Sequence, residues 1–152
     1  MPLLSAGLLM CRKPGHQLEF FLIHPGGPFF SKKNEGVWSI PKGMPEGEEE
    51  LEATAKREFF EETGITPAPP FHALGSAKLK SGKIIHAWSF LGTWDSQDGI
   101  VSNNIQIEWP PRSGKFISTP EADRAEWMSF DKASVMINPG QKIFLERASV
   151  FY

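Results

Sequence analysis

Residues Gly43–Ile65 read GMPEGEEELEATAKREFFEETGI, and this stretch carries most of the information about fold and function. Its residues from Glu48 to Thr63 are mostly good helix formers. Apolar residues recur within it at a four-residue step, at Leu51, Ala55 and Phe59. The pattern predicts an amphipathic helix with one buried stripe. Gly64 is predicted to end the helix, because glycine readily adopts the left-handed conformation found after helix C-termini.

Three carboxylates fall on one side of this helix. Because successive helical residues advance by about 100°, Glu58, Glu61 and Glu62 lie within an arc of about 100°. Anions held so close repel one another unless a cation compensates them, and hard oxygen ligands of this kind suit Mg²⁺ or Mn²⁺. We therefore expect a divalent metal site on this face. The earlier run Glu48–Glu52 is interpreted as a solvated acidic segment that complements the helix dipole.

The same stretch resembles the signature box of the Nudix hydrolases at every defined position. These positions are Gly43, Glu49, Arg57, Glu58, Phe59, Glu61, Glu62, Gly64 and Ile65. A chance match to so many fixed identities is rare, so the motif is specific. The resemblance implies an α+β fold of the Nudix type, an α/β/α sandwich with a mixed β-sheet between helices. It also implies a hydrolase that cleaves pyrophosphate bonds with Mg²⁺ or Mn²⁺.

The resemblance assigns roles to individual residues of the box. It implies that Glu58, Glu61 and Glu62 are the catalytic metal ligands. It further implies an ion pair between Arg57 and Glu49, which would orient the site. From helical geometry we expected Arg57 on another side of the helix from the three carboxylates. A geometric role is assigned to the glycines at the two ends of the helical region, Gly43 and Gly64.

Residues outside the box supply further candidates. Lys42, directly before it, could contact a phosphate or could be a solvated turn residue. Many Nudix enzymes recruit an additional carboxylate, as metal ligand or general base, from a distant loop. Glu121 is the leading candidate for that role in this chain, and two lesser candidates are Glu108 and Asp123.

The remaining candidates concern the substrate. Arg112 and Lys115 lie in a predicted loop and are candidate ligands of distal phosphates. Trp88, Phe90 or Trp109 could stack on a base, although alternating aromatic residues on a strand are more often part of a core. No role is assigned to the histidines, which show no metal-ligand spacing: His16, His24, His72 and His86.

Outside the helix, the chain alternates short β-prone runs with turn residues. The predicted element order is β-β-β-α-β-β-β-β-α-α, a mixed sheet with helices on both faces. The predicted strands are Leu3–Cys11, Glu19–His24, Val37–Ile40, Phe71–Lys80, Lys83–Trp94, Asn104–Trp109 and Asp123–Phe130. Two helices are expected to follow, the first capped by Asp131 and the second covering Gln141–Val150 with Ile143, Phe144, Arg147 and Val150 at helical spacing.

Length and charge limit the classes of protein that need consideration. We expect a single domain over residues 1–152, the usual size of one folding unit. The net charge of −2 gives no broad positive field, so we expect no binding of long nucleic acid. The single cysteine, Cys11, suits a reducing cytoplasmic setting. The apolar run Pro2–Cys11 is interpreted as a strand, because its basic residues follow it, and no segment predicts a membrane span.

Function is thus expected to be metal-dependent hydrolysis of a nucleoside-diphosphate-linked small molecule. A nucleoside triphosphate or a dinucleoside polyphosphate is the leading substrate class, and the Trp38–Gly43 segment favours dinucleoside polyphosphates over nucleotide sugars. The alternative is a nucleotide-sensing binding module with the same fold and no turnover, and action on capped RNA is a third possibility that the absent basic face disfavours. The oligomeric state is not predicted.

Overall fold

The structure is a computed structural model in which residues 3–152 are described. Eight strands and three α-helices follow one another along the chain. The strands are β1 (Leu4–Arg12), β2 (Glu19–Pro25), β3 (Lys42–Gly43), β4 (His72–Lys78), β5 (Ile84–Leu91), β6 (Asn104–Glu108), β7 (Phe116–Pro120) and β8 (Ala122–Ser129). The helices are α1 (Leu51–Thr63), α2 (Phe130–Met136) and α3 (Lys142–Ala148).

Six strands form a mixed sheet at the centre of the molecule. Its order is β4-β5-β1-β2-β8, and β3 pairs with β1. The β1 and β5 strands run parallel and the other pairs are antiparallel. The β1 and β2 strands pair only at their hairpin end, where Cys11 faces Phe20. Farther from the hairpin, β3 pairs with β1, Ser39 bridges to Ile23 on β2, and the sheet opens there.

Each face of the sheet packs against helices, as the mixed-sheet prediction required. Alternate residues of β1 point to opposite faces, because side chains alternate along a strand. Leu8 and Met10 pack on the side of α1, together with Phe59 of that helix. Leu9 packs on the other side, with Phe144 of α3. The α+β sandwich expected from the sequence is therefore confirmed.

A separate two-stranded hairpin, β6 and β7, stands beside the main sheet. The sequence predicted β6 but assigned β7 to a loop. Phe116 is exposed and most of its neighbours in β7 are too, so this strand lacks the alternation of buried and exposed residues that marks strands in a sequence. Its partner β6 stabilises it, with Ile107 opposite Ile117.

Several predicted boundaries are shifted in the structure. Helix α1 begins at Leu51, three residues later than predicted, because Glu48–Glu50 form the loop that approaches it. The cap of α2 is Ser129, whose hydroxyl accepts a hydrogen bond from the Lys132 amide, and Asp131 lies inside the first turn.

The last helix is also shorter than predicted. It ends at Ala148, and Val150 is exposed beyond it. The buried side chains of α3 are Phe144, Leu145 and Ala148. No helix within residues 3–152 is long and apolar enough to cross a bilayer.

Candidate active site

The core of the candidate site is a group of three carboxylates, Glu58, Glu62 and Glu121. One oxygen from each lies within 4.8 Å of the others. Helix α1 supplies the first two, and Glu121 comes from the bend between β7 and β8. The structure thus brings the leading downstream candidate to the helical carboxylates. The lesser candidates are not part of this group: Glu108 accepts hydrogen bonds from the Arg112 and Gly114 amides, and Asp123 pairs with His24.

Glu62 is held in an environment that penalises its charge. Its side chain is buried, with 3% exposure, and Oε2 has no hydrogen-bond partner among the described residues. Burial, followed by the negative charge of Glu121, raises the pKa of Glu62 well above its usual value. Burial and the charge of Glu58 also raise the pKa of Glu121. An orphaned buried oxygen beside two further carboxylates fits the all-oxygen coordination that Mg²⁺ and Mn²⁺ prefer.

The Glu58 carboxylate lies in the space that the missing side chain of Gly43 leaves free. The glycine lies in β3, opposite Ala6 of β1, and faces α1. A Cβ atom on Gly43 would overlap the Glu58 carboxylate. The box glycine at this position is therefore explained by the space that the carboxylate occupies rather than by a positive φ angle. Gly64 does have a positive φ of 77°, and its N–H donates to the Phe60 carbonyl to close the helix.

Arg57 links the loop before helix α1 to the carboxylates of that helix. It donates two hydrogen bonds of 2.9 Å to the Glu49 carboxylate, from Nε and Nη2. Nη1 also donates to Glu58 and, over 3.1 Å, to Glu61. The expectation that Arg57 lies on another side of the helix from the carboxylates is wrong, because residues four apart share a face and Glu61 is one turn beyond Arg57.

These contacts determine how Glu49 and Glu61 are placed. The hydrogen bonds from Arg57, with one from Thr54 Oγ1, lower the pKa of Glu49 to about 2. The same hydrogen bonds, with the carboxylates as acceptors, raise the pKa of the Arg57 guanidinium. Glu61 is held at the edge of the site and lies outside the 4.8 Å group of three carboxylates. Arg57 Nη1 nevertheless contacts both Glu58 and Glu61, so these two carboxylates share one cation.

A cavity of about 640 Å³ adjoins the carboxylates. Its lining includes Lys42, Glu62 and Glu121. Burial lowers the pKa of Lys42, an effect that the neighbouring Glu62 opposes. The remaining wall is largely apolar and includes Phe29, Phe30, Val37, Leu79, Ile105, Ile107, Trp109 and Pro111. A second depression, lined by Arg12, Trp94 and Trp127, contains none of the candidate site residues.

The other predicted substrate residues are distributed unevenly. Trp109 lines the cavity, whereas Phe90 is buried in the core and Trp88 packs against it. Arg112 and Lys115 are exposed near the tip of the β6–β7 hairpin and do not line the cavity.

The histidines, to which no role was assigned, are absent from the carboxylate group. His24 is buried, and its Nδ1 and Nε2 contact Asp123 and the Lys33 carbonyl.

Sequence reasoning missed two residues that contact the Glu121 bend. Asn103 contacts both Glu121 and Glu61, and Gly26 donates its N–H to the Glu121 carbonyl over 3.0 Å. A Cβ atom on Gly26 would overlap the Pro120 carbonyl, so this close approach requires glycine. No motif marks either residue, since both act across long sequence separations. The Pro25–Gly26–Gly27–Pro28 stretch was the one available signal of an unusual backbone.

Comparisons with known proteins identify the family of the chain. The family profile described as the NUDIX domain matches residues 1–148. None of the curated protein sequences matches the chain significantly.

Solved structures with the same fold include an Ap4A hydrolase of C. elegans in a binary complex (TM-score 0.67, 19% identity, 97% of this chain and 96% of that chain covered). They also include the NUDIX domain of Shewanella oneidensis NrtR complexed with ADP ribose (0.64, 19%, 99% and 88%). A MutT protein from Methanosarcina mazei Go1 is similar too (0.60, 22%, 99% and 95%). With a profile match over nearly its whole length and a mixed sheet of the matching architecture, the chain belongs to the NUDIX domain family.

Proposed function

We propose that this protein hydrolyses a pyrophosphate bond in a nucleoside-diphosphate-linked substrate, with Mg²⁺ or Mn²⁺ held by the carboxylates of the box. The observation that carries the proposal is the convergence of Glu58, Glu62 and Glu121, with a buried Glu62 oxygen that no group within residues 3–152 satisfies. A divalent cation bound there would neutralise charge on the pyrophosphate and lower the pKa of a bound water. Glu61, held by Arg57, is a further candidate ligand at the edge of the site.

Two side chains supply the other catalytic roles in this proposal. Glu121 accepts the proton of the attacking water as general base, a role that its raised pKa favours, or serves as a further metal ligand. The water oxygen forms a bond to phosphorus, and the bond from that phosphorus to the bridging oxygen breaks. The leaving phosphate group takes the bridging oxygen. Lys42, which lines the cavity with Glu62 and Glu121, would contact a phosphate oxygen and balance its negative charge.

The cavity supports a nucleotide as the substrate. Its largely apolar and aromatic wall, which includes Trp109, suits a planar base, and Lys42 in the same lining suits a phosphate. Arg112 and Lys115, exposed near the hairpin tip outside the cavity, would be the ligands of the distal phosphates of a longer chain. We accordingly propose a nucleoside triphosphate or a dinucleoside polyphosphate as the substrate.

A nucleotide-sensing module without turnover is the second candidate function. The NrtR domain, which shares this fold, is described as complexed with ADP ribose. Two observations favour turnover over sensing alone. All the box carboxylates are present, and the burial of Glu62 is unfavourable for a site that never binds a cation.

The test is a panel of nucleoside triphosphates, dinucleoside polyphosphates and nucleotide sugars, incubated with the protein in Mg²⁺, in Mn²⁺ or in EDTA. Product separation identifies the bond cleaved, and thermal shift reports binding without turnover. We expect nucleotide and phosphate products that require the metal. Ligand-dependent stabilisation with no product for any compound would support the sensing module instead.

Gly43→Ala is expected to lower metal-dependent turnover about 10–100-fold, the range for residues that orient metal ligands. The added methyl group would displace the Glu58 carboxylate. Gly15→Ala is the matched control, because no atom lies within 4 Å of a Cβ atom at Gly15. Steady-state kinetics of the two variants, with melting curves, separate loss of site geometry from loss of fold. Equal turnover in both would contradict the assigned place of Glu58.

A further inference from the structure

We propose that Asn103 is a positioning residue that holds the Glu121 carboxylate against the end of helix α1. The inference rests on the proposed function, in which Glu121 completes the carboxylate group. Three elements meet at Asn103: the C-terminal turn of α1, the segment 100–103 that precedes β6, and the bend between β7 and β8. The hydrogen bonds of these elements show how a side chain from the distant bend is kept beside Glu58 and Glu62.

The segment before β6 is fixed to helix α1 by main-chain hydrogen bonds. The Val101 amide donates to the Thr63 carbonyl over 2.9 Å, and the Asn103 amide donates to the Glu61 carbonyl over 2.8 Å. Both acceptors belong to the last turn of the helix, where carbonyl groups lack partners within the helix. The segment therefore satisfies the helix end and moves with the turn that carries Glu61 and Glu62.

The same segment fixes the backbone of the β7–β8 bend. The Glu121 amide donates to the Asn103 carbonyl over 3.0 Å, and the Ala122 amide donates to Ser102 Oγ over 3.0 Å. Gly26, at the end of β2, secures the other side by donating to the Glu121 carbonyl. The main chain at Glu121 is thus held from two directions. These hydrogen bonds do not restrain the torsion angles of the Glu121 side chain.

The side chain of Asn103 supplies the missing constraint. Its neighbours Glu121 Oε2 and the Glu61 carbonyl are both acceptors, so the amide is assigned with its nitrogen toward them. In that orientation the nitrogen donates to Glu121 Oε2 over 3.0 Å and to the Glu61 carbonyl over 3.1 Å. A hydrogen bond to a carboxylate is among the stronger kinds, and this one restrains the position of Glu121 Oε2.

Asn103 is exposed, which argues against a role in packing. Its neighbour Asn104 is also exposed, and no side-chain hydrogen bond of Asn104 occurs among the residues that the structure describes. The two residues therefore form a matched pair. Replacing either by aspartate adds the same charge in nearly the same place, but only at position 103 does the new carboxylate face Glu121 as a second acceptor.

The test measures Mn²⁺ affinity by electron paramagnetic resonance for the wild type, Asn103→Asp and Asn104→Asp, with melting curves in parallel. We expect Asn103→Asp to weaken Mn²⁺ binding roughly 10–100-fold, the range for residues that orient metal ligands. Asn104→Asp should remain within about twofold of the wild type, because an exposed charge is screened. Affinity that is unchanged or higher in Asn103→Asp than in Asn104→Asp would overturn the inference.

A double-mutant cycle shows whether Asn103 acts through Glu121. In a Glu121→Ala background, Asn103→Asp should alter Mn²⁺ affinity no more than Asn104→Asp does. A further loss of affinity in that background would indicate a general structural role and would overturn the inference. Absence of Mn²⁺ binding to the wild type would overturn the metal site of the proposed function, and this inference with it. If the wild type binds Mn²⁺ and the two variants Asn103→Asp and Asn104→Asp bind it with equal affinity, only the positioning role of Asn103 is overturned.

Discussion

Replacing Glu62 by glutamine should lower metal-dependent turnover by about three orders of magnitude and raise the stability of the metal-free protein. The first effect follows because a metal site supplies several kcal/mol of transition-state stabilisation, and each 1.36 kcal/mol is a factor of ten. The second follows because the Glu62 carboxylate is buried with an unsatisfied oxygen. Glutamine is neutral and nearly isosteric, so it removes the cost of burying the charge.

The pH dependence of stability has a definite sign. The folded state raises the pKa of Glu62 above its ordinary value of 4.5, so at intermediate pH the folded protein binds more protons than the unfolded chain. The stability that protonated Glu62 contributes is therefore complete below pH 4.5. It is lost progressively as the pH rises from there through the raised pKa of the folded state. In metal-free protein this loss should be smaller for Glu62→Gln than for the wild type.

Melting curves in EDTA over this pH range, together with steady-state kinetics in Mg²⁺, test both effects. Glu48→Gln is the control, since Glu48 is exposed in the loop before α1. We expect the melting temperature of Glu62→Gln to rise by about 2–4 °C for each kcal/mol gained in the free energy of unfolding. The control should show no such rise. If the variant retains wild-type turnover, or melts lower than the wild type in EDTA, the environment assigned to Glu62 is wrong.

Arg57→Lys should reduce kcat/KM about 10–100-fold, although the positive charge is kept. The guanidinium makes two parallel hydrogen bonds to Glu49 and also contacts Glu58 and Glu61, and an ammonium group cannot reproduce that fork. The magnitude is that expected for residues that orient metal ligands. Arg57 also donates to the Met44 carbonyl, so the approach loop should become more mobile. Hydrogen exchange over residues 44–50 should accelerate.

Arg12→Lys is the matched control for this prediction, because Arg12 forms an ion pair with Glu19 away from the carboxylates. Its kcat/KM should stay close to the wild-type value. The low pKa of Glu49, about 2, means that its carboxylate is ionised throughout the pH range of such assays, so the effect should be independent of pH. An Arg57→Lys variant with unchanged kinetics and unchanged exchange would contradict the organising role.

The sequence was sufficient for the parts of the fold that depend on local pattern. The helix stripe of Leu51, Ala55 and Phe59 predicted α1, and the β-prone runs Phe71–Lys80 and Lys83–Trp94 predicted β4 and β5, which the structure confirms. Strand β7 could not be predicted, because its stability depends on pairing with β6 and its side chains are mostly exposed. Local patterns carry no information about such a partner.

The candidate site was predictable to a similar extent. The helical face placed Glu58 and Glu62 together from spacing alone. The distance between Glu121 and the two helical carboxylates depends on the β6–β7 hairpin and on the bend between β7 and β8. No local sequence pattern encodes that distance. The contact of Arg57 with Glu61 was available from the four-residue spacing, and the expectation that placed Arg57 elsewhere on the helix ignored it. Asn103 carries no motif, and its role follows only from the assembled hydrogen bonds.

The central claim is that the buried carboxylate group is compensated by a divalent cation. The most direct measurement is the melting temperature of the wild type and of Glu62→Gln at neutral pH, each titrated with Mn²⁺. A cation that binds the folded state raises the melting temperature as its concentration increases. We expect a clear rise for the wild type and little or none for Glu62→Gln. No rise for the wild type, or an equal rise for both proteins, would contradict the claim.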